Sequence, residues 1–425
     1  MSPSFDTDEL LGKPKILFIG PGESSHTHSW IDLLNGADFN VRLFSLPQGS
    51  PPRDWPIKTY LTEYGQRESN PSNRFYIFAS GKLKRFAQRS AGALLRQAWT
   101  PGPLIETWLA KIIRHWQPDI IHTLGMEHAG ELYFDVRRKY ELNGFGKWVL
   151  QLRGGSDLAL RRFDPEQRPR IAEILRSCDL LVSDNEENFC IAQQMGVRED
   201  QLATIAPVPG TGGIDVDALA ARRLGPPSQS HLILWPKAYE CPWSKALPVF
   251  EALKICGEQI QQYDIHILAT TPETEAWYLA LPPAIRKVCH MHGRVRREQA
   301  LELMTRARVM LAPSLVDGVP NSLYEAMAAG ALPIVSPLET IQHVVENERN
   351  VLFARNLYPN EIAAALQRAM SDDRLVDRAA EENLPLVRRI ANRSTIRRVV
   401  VAFYEEIATS RNVGPASLRL ERKSL

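Results

Sequence analysis

The sequence predicts an α/β protein made of two doubly wound parallel sheets in series. Three observations lead there. Short apolar runs alternate with helical stretches through the first half, the same alternation restarts near residue 231, and a Gly- and Pro-rich stretch separates the two series. A chain of 425 residues with 44% hydrophobic content is also too long for one ordinary core, so two domains are expected.

The first series of strands is read at residues 15–20, 40–45, 119–122, 148–152, 180–183 and 201–205. These runs are apolar almost throughout, as strands covered by helices on both faces must be, and such sheets are parallel. Between the series lies Pro207-Val-Pro-Gly-Thr-Gly-Gly-Ile-Asp-Val-Asp217, then a helical fragment and Gly225-Pro-Pro-Ser-Gln-Ser230, which together read as a linker. The second series comprises residues 231–236, 264–269, 288–292, 309–312 and 332–336. A last helix, expected to be capped by Ser394, carries Val399, Val400, Phe403 and Ile407 at helical spacing. The expected division is therefore residues 1–206, a linker 207–230, residues 231–393, and a closing helix with a polar tail over 394–425.

Composition narrows the chemistry. A net charge of +2 gives no global reason to expect a nucleic-acid partner. Five cysteines without a C-x-x-C pair suggest neither a zinc site nor a disulfide framework, which fits a reducing cytoplasm. The N-terminus is acidic and lacks the basic start and apolar run of a signal peptide, and no run approaches the length of a membrane span. A cytoplasmic protein is expected, with peripheral membrane contact left open by the basic segment described below.

The most informative stretch is Asp317-Gly-Val-Pro-Asn-Ser-Leu-Tyr-Glu325-Ala-Met-Ala-Ala-Gly330, which sets two carboxylates eight residues apart on a loop that turns into a helix. Pro320 ends the loop, Asn321 or Ser322 is expected to cap the helix, and Gly330 to close it. Glu325 is expected in the first turn with Asp317 beside it. A helix N-terminus presents free backbone N–H groups and a positive dipole end to a phosphate, and a nearby carboxylate suits sugar hydroxyls. The combination describes a nucleotide-sugar site, against the plain reading that Glu325 serves its own helix start and Asp317 initiates a turn.

This stretch resembles the acidic pair of retaining glycosyltransferases of the two-domain GT-B fold, specifically the large family 4 (group 1) transferases. The resemblance implies that Glu325 holds the ribose hydroxyls of a nucleoside-diphosphate sugar and that Asp317, where relatives usually have Glu, faces the transferred sugar. It implies donor contacts from Gly318, Val319, Pro320, Asn321 and Ser322. It also implies that the N-terminal domain takes the acceptor, a saccharide or lipid-linked hydroxyl, that the last helix crosses back to the first domain, and that no metal or other cofactor is needed. Retention in this family is ascribed to front-side attack, with the donor's own phosphate oxygen accepting the proton.

Other constellations fit this frame. Lys237 and Lys245 follow the strand at 231–236, where cations can neutralise a departing diphosphate. Relatives have Arg and Lys there, and here Tyr239-Glu-Cys-Pro-Trp243 lengthens the gap. Arg294 and Val295 resemble the segment whose backbone reads the donor base; an ordinary strand-to-helix turn is the alternative. Gly20-Pro-Gly22-Glu-Ser-Ser-His26-Thr-His28-Ser-Trp30 opens the first helix with a glycine turn that lets backbone approach phosphate or sugar closely, and Gly22 is assigned to the donor. Its Ser-x-His-Thr-x-x-Trp pattern resembles one bacterial branch of the family, as does the Gly-Ser-Asp ending at Asp157. Relatives place a histidine on that second loop. This chain has Arg153, so Arg153 and Asp157 stand as the catalytic candidates there, with an Asx-type turn as the plain reading of Asp157. His122, Glu127 and His128 lack the spacing of a metal site.

Between residues 69 and 105 lie Arg74, Lys82, Lys84, Arg85, Arg89 and Arg96 and no acidic residue. Helical spacing puts Lys82, Arg85, Arg89 and Arg96 on one face and Leu83, Ala87, Ala91, Leu94 and Ala98 on the other. The ordinary use is a core-facing stripe with a solvated basic face. The alternative is docking to an anionic membrane or lipid-diphosphate acceptor, where each cation contributes roughly 1 kcal/mol.

Overall fold

The computed structural model describes residues 5–47, 49–62, 75–77, 103–154, 158–205 and 207–409. The basic segment at 82–96 and Asp157 lie outside the described residues.

Two parallel sheets carry the chain. The first holds β1 (Lys15–Pro21), β2 (Asn40–Leu46), β3 (Lys58–Leu61), β4 (Phe75–Ile77), β5 (Ile120–Leu124), β6 (Lys147–Leu152) and β7 (Leu180–Ser183), in the order β4-β3-β2-β1-β5-β6-β7. The second holds β8 (Leu232–Trp235), β9 (Asp264–Ile267), β10 (Cys289–Met291), β11 (Val309–Ala312), β12 (Leu332–Val335) and β13 (Leu352–Phe353), in the order β10-β9-β8-β11-β12-β13. Strand order reverses at β1/β5 in one sheet and at β8/β11 in the other. In open α/β sheets ligands bind in the crevice beyond the strand ends at such a reversal. The loops after β1, β8 and β11 emerge there.

Alternation along each strand sorts side chains onto two helix-covered faces. In β1, Leu17 and Ile19 face one core while Ile16 and Phe18 face the other, and all four are fully buried. The second core of this domain is completed from the far end of the chain. Ile396, Val400, Phe403, Tyr404 and Ile407 of the helix Arg393–Thr409 are buried with Ile16 and Phe18. Burial stabilises by ~1.5–3 kcal/mol for each large aliphatic or phenyl side chain, enough to hold the return crossing in place. Polar anchors fix its register: Trp30 Nε1 donates to the Tyr404 hydroxyl (3.1 Å), Tyr404 meets His122 Nδ1 (2.5 Å), and Arg397 Nε donates to the Leu33 carbonyl (3.0 Å).

The two interdomain crossings pair with one another. Ile214 N–H donates to Ala391 O (2.9 Å) and Arg393 N–H to Ile214 O (2.9 Å). Gly213 adopts φ +83 there, and a Cβ would lie 2.5 Å from the Ala391 carbonyl oxygen, so both conformation and space demand glycine.

Several local expectations need correction. Residues 201–205 form no strand: Glu199–Gln201 is a 3-10 turn, and Leu202 makes only an isolated bridge to Leu181. The chain there is a single rung on the edge of β7. The short strands β3, β4 and β13 were not anticipated; at 4, 3 and 2 residues they are too brief for a periodic signal. The last helix begins at Arg393, one residue before its expected cap, and Asn392 Oδ1 accepts from the Ser394 N–H (3.0 Å).

Candidate functional site

On the second sheet the adjacent strands β8 and β11 deliver Lys237 and Asp317 to the same point. Lys237 Nζ donates to Asp317 Oδ2 at 3.1 Å, and Asp317 Oδ1 accepts from the Gly318 N–H at 2.9 Å, closing the loop on itself. Desolvation opposes the charge on Lys237, yet Asp317, Tyr239 and Glu325 outweigh it and raise its pKa. Lys237 is therefore a firmly protonated cation in the crevice. Thr340 Oγ donates to the Asp317 carbonyl oxygen (2.9 Å), so the loop's main chain is held from both ends.

The helix Asn321–Ala329 follows Pro320, which occupies the cap position without offering a side-chain bond. Neither Asn321 nor Ser322 caps it. Asn321 Nδ2 instead reaches Thr211 Oγ in the linker (2.6 Å), and Ser322 Oγ is buried without a partner among the described residues. Pro320 has no side-chain acceptor to offer the first N–H groups of the helix, and its fixed φ sets the entry angle. Gly330 ends the helix at φ +90 as expected. Glu325, counted from Asn321, falls in the second turn rather than the first. Its side chain is 12% exposed and accepts a 2.5 Å bond from Arg297 Nη2. Burial pushes its pKa up, opposed by Arg297 and Lys237. Arg294 and Val295 lie just before the helix Arg297–Arg306, on the loop whose Gly293 carbonyl accepts from the Ala269 N–H (3.1 Å).

Lys245 is held differently from its expected partner. Its ammonium pairs with Glu240 Oε1 at 2.8 Å, while Glu240 Oε2 accepts the Ala246 N–H (2.8 Å) at the start of the helix Leu247–Cys256. The inserted residues form a tight turn in which Cys241 and Ser244 exchange backbone bonds (3.0 and 3.3 Å). The Trp243 carbonyl in that turn accepts from the Leu315 N–H (2.8 Å), tying the insertion to the loop that carries Asp317.

The facing wall comes from the first domain. Gly22 is buried: a Cβ there would lie 2.3 Å from Ser45 Oγ and 2.8 Å from the Gly49 carbonyl oxygen, so packing on the end of β2 already requires glycine. His26 follows in the helix Ser25–Ile31, within the fields of Arg153, Lys237 and Asp317. The residue is exposed, yet desolvation by the surrounding walls, with the cations Arg153 and Lys237 and against Asp317, pushes its pKa down to about 4. It is a neutral imidazole. Arg153 bonds Gln151 Oε1 through Nε (3.3 Å) and Nη2 (3.2 Å).

The two walls touch at glycine. A Cβ on Gly154 would stand 1.8 Å from Gly318 Cα, and one on Gly318 would stand 2.6 Å from Asp184 Oδ2. Asp184 Oδ2 accepts the Gly154 N–H (3.0 Å), and its Oδ1 accepts from Asn185 Nδ2 (2.6 Å). Of the expected site residues, Lys237, Asp317 and Glu325 come together with the 318–322 loop. Lys245 joins Glu240 instead.

Sequence reading did not single out Arg297, Asp184 or Tyr239, nor did it assign His26 a role. Asp184 had a weak signal, standing where β7 meets the Asn185 cap of the helix Glu186–Gln194. Arg297 had none: its partner lies twenty-eight positions away in sequence.

Comparison with known proteins sharpens this. Residues 241–372 match the family described as Glycosyl transferases group 1. No curated protein matches the chain. Among solved structures, sucrose-phosphate synthase from Thermosynechococcus elongatus superposes with a TM-score of 0.66 at 16% identity, covering 94% of this chain and 100% of that one. Anabaena HepE in complex with UDP-glucose gives 0.64 at 13%, covering 92% and 99%. A putative UDP-N-acetylglucosamine 2-epimerase from Listeria monocytogenes gives 0.57 at 12%, covering 93% and 98%. At these identities the likeness is one of fold. The architecture is GT-B, and its second domain carries a glycosyl transferase group 1 segment that includes Lys245, Asp317 and Glu325.

Proposed function

We propose that the protein is a retaining, metal-independent glycosyltransferase of family 4 type, moving a hexosyl group from a nucleoside-diphosphate sugar to a hydroxyl of a saccharide or lipid-linked acceptor in surface-glycan assembly. The observation that carries this is the cluster Lys237, Asp317 and Glu325 at the β8/β11 reversal, Asp317 and Glu325 lying within the group 1 segment. The C-terminal wall takes the donor: Glu325 the ribose hydroxyls, Asp317 the sugar, Lys237 the diphosphate. The acceptor oxygen bonds to the anomeric carbon, the bond to phosphate oxygen breaks, and the hydroxyl proton passes to the departing phosphate. No side-chain nucleophile is required. Charge on the diphosphate grows as it leaves, so a fixed cation binds the transition state more tightly than the ground state.

Two acids with different partners on one donor give the test. Glu325→Gln is expected to weaken free nucleoside diphosphate and intact donor alike, by roughly 1.5–3 kcal/mol for a charged hydrogen bond. Asp317→Asn is expected to spare the free diphosphate and weaken only the sugar donor. Identical behaviour of the two variants in calorimetry overturns the assignment. Turnover of donor alone, without acceptor, points to epimerase or hydrolase chemistry on the same fold. Activity is expected to survive a chelator because Lys237 meets the charge a metal would otherwise meet; loss on chelation with rescue by magnesium or manganese contradicts that.

A further inference from the structure

Arg297 stands in a place its own helix does not explain. It is the first residue of the helix Arg297–Arg306, where the dipole disfavours a cation, and Arg296 precedes it. Its side chain is 62% exposed, so nothing in the core requires it. Its 2.5 Å bond to Glu325 Oε1 supplies the reason.

We propose that Arg297 is a positioning residue for donor binding, holding Glu325 ionised and oriented so that its carboxylate can accept the ribose hydroxyls. This rests on the reading of the cluster as a nucleotide-sugar site. A ribose diol offers two O–H donors, and only an ionised carboxylate accepts from both without presenting a proton of its own. The surroundings work against that state. Glu325 sits in a nearly closed pocket where burial favours the neutral acid. The charged groups facing it are Arg297, from the helix Arg297–Arg306, and Lys237, from the loop after β8; Arg393 lies further out, its field reaching Arg297. Lys237 is already shared with Asp317 and is to meet the diphosphate. That leaves Arg297 as the counter-ion committed to Glu325. Oε2 takes no hydrogen bond from the described residues, so the contact fixes one oxygen and leaves the other to a ligand. Each guanidinium bond also uses a single oxygen lone pair, so Oε1 can accept a second donor while Arg297 stays.

The test uses the full chain and whichever of UDP-glucose or GDP-mannose binds the wild type, because these diphosphate diesters have no group titrating near neutrality. Dissociation constants are measured at about pH 8 and about pH 5.5, the lower value about a unit above the ordinary glutamate pKa, so that only a carboxyl lifted above its ordinary range takes up protons there. Wild type is expected to change by less than about twofold, and Arg297→Met by about fivefold or more on acidification, since each unit of pKa is a factor of ten in protonation. Arg297→Lys is expected to restore most of the wild-type profile, because it keeps the charge. Wild-type binding by Arg297→Met at both pH values overturns the proposal, and so does an equal loss at both, which is the mark of a contact or packing role. Glu325→Gln separates the two levels: if it binds the donor as wild type does, or if wild type binds neither sugar nucleotide, the reading of the site fails, and the role of Arg297 with it.

Discussion

The two walls of the cleft are built from different materials. The C-terminal wall is made of charges that neutralise one another across short distances: Lys237 with Asp317, Arg297 with Glu325, Lys245 with Glu240. The N-terminal wall presents backbone and the neutral His26 ring, and its two charges, Arg153 and Asp184, bond to neighbours on the same wall. Gly22 and Gly154 approach their neighbours too closely for any side chain, and His26 is held neutral. A wall of paired charges suits a ligand that carries its own charge and exchanges partners on arrival. A wall of glycine and neutral imidazole suits uncharged hydroxyls and close approach. On the proposed function, the difference assigns donor and acceptor to separate walls, and substitutions can be chosen to break one wall at a time.

The largest effect is expected from the charged wall. Lys237→Ala removes the cation paired with Asp317, and turnover is expected to fall by about 10²–10³, the magnitude typical of losing one preorganised charge-stabilising donor. Binding of free nucleoside should change much less, because the charge it opposes develops as the diphosphate leaves. Lys245→Ala is expected to cost less than Lys237→Ala, since its ammonium is already committed to Glu240. Steady-state kinetics beside calorimetry checks both, and equal small losses in every constant would reduce the lysines to surface residues.

Next comes the glycine contact. Gly154→Ala places a methyl 1.8 Å from Gly318 Cα, so the walls must part. A misplacement of about 1 Å between reacting groups can cost on the order of 10²-fold in rate. Nucleoside diphosphate binding, which the proposed function assigns to the C-terminal wall, is expected to survive. If Gly154→Ala turns over normally, the contact is incidental to catalysis.

How much of this was legible follows the same division. The doubly wound sheets and the return helix are written in apolar periodicity, which is local, and the Asp317 to Gly330 stretch is local too: strand, loop, helix and glycine stop occupy one unbroken segment. What escaped depends on distant pairs. Arg297 meets Glu325 because the helices that follow β10 and β11 pack side by side, and Gly154 meets Gly318 only because the two sheets face each other; no short window contains both partners of either pair. Lys245 looked equivalent to Lys237 because both follow β8. The inserted turn supplied Glu240, whose carboxylate claims the helix start and the lysine at once. The capping expectation failed because Asn321, a good cap by type, is drawn to Thr211 in the linker.

The smallest effect is the one that compares the walls directly, through stability against pH. On the N-terminal side His122 is fully buried, and desolvation, helped by Arg153, holds its pKa well below the usual imidazole value. The unfolded chain therefore takes up the proton first, and stability is lost as pH falls below about 6.5. On the C-terminal side Glu325 has its pKa raised by burial, so the folded state binds the proton first. Its penalty is fully present at neutral pH and is relieved as pH falls toward the ordinary glutamate range. The two groups thus pull in opposite directions on acidification. His122→Gln, which can still accept from the Tyr404 hydroxyl, is expected to flatten the loss of Tm between about pH 6.5 and 4.5. Glu325→Gln is expected to raise Tm by about 1–2 °C near neutrality, with an advantage that shrinks in acid, while weakening the donor; stability gained by removing a functional charge is a common trade. A Tm that falls in Glu325→Gln at pH 7 would mean that the Arg297 pairing outweighs the burial of the carboxylate, and the charged wall would then be a source of stability as well as of binding.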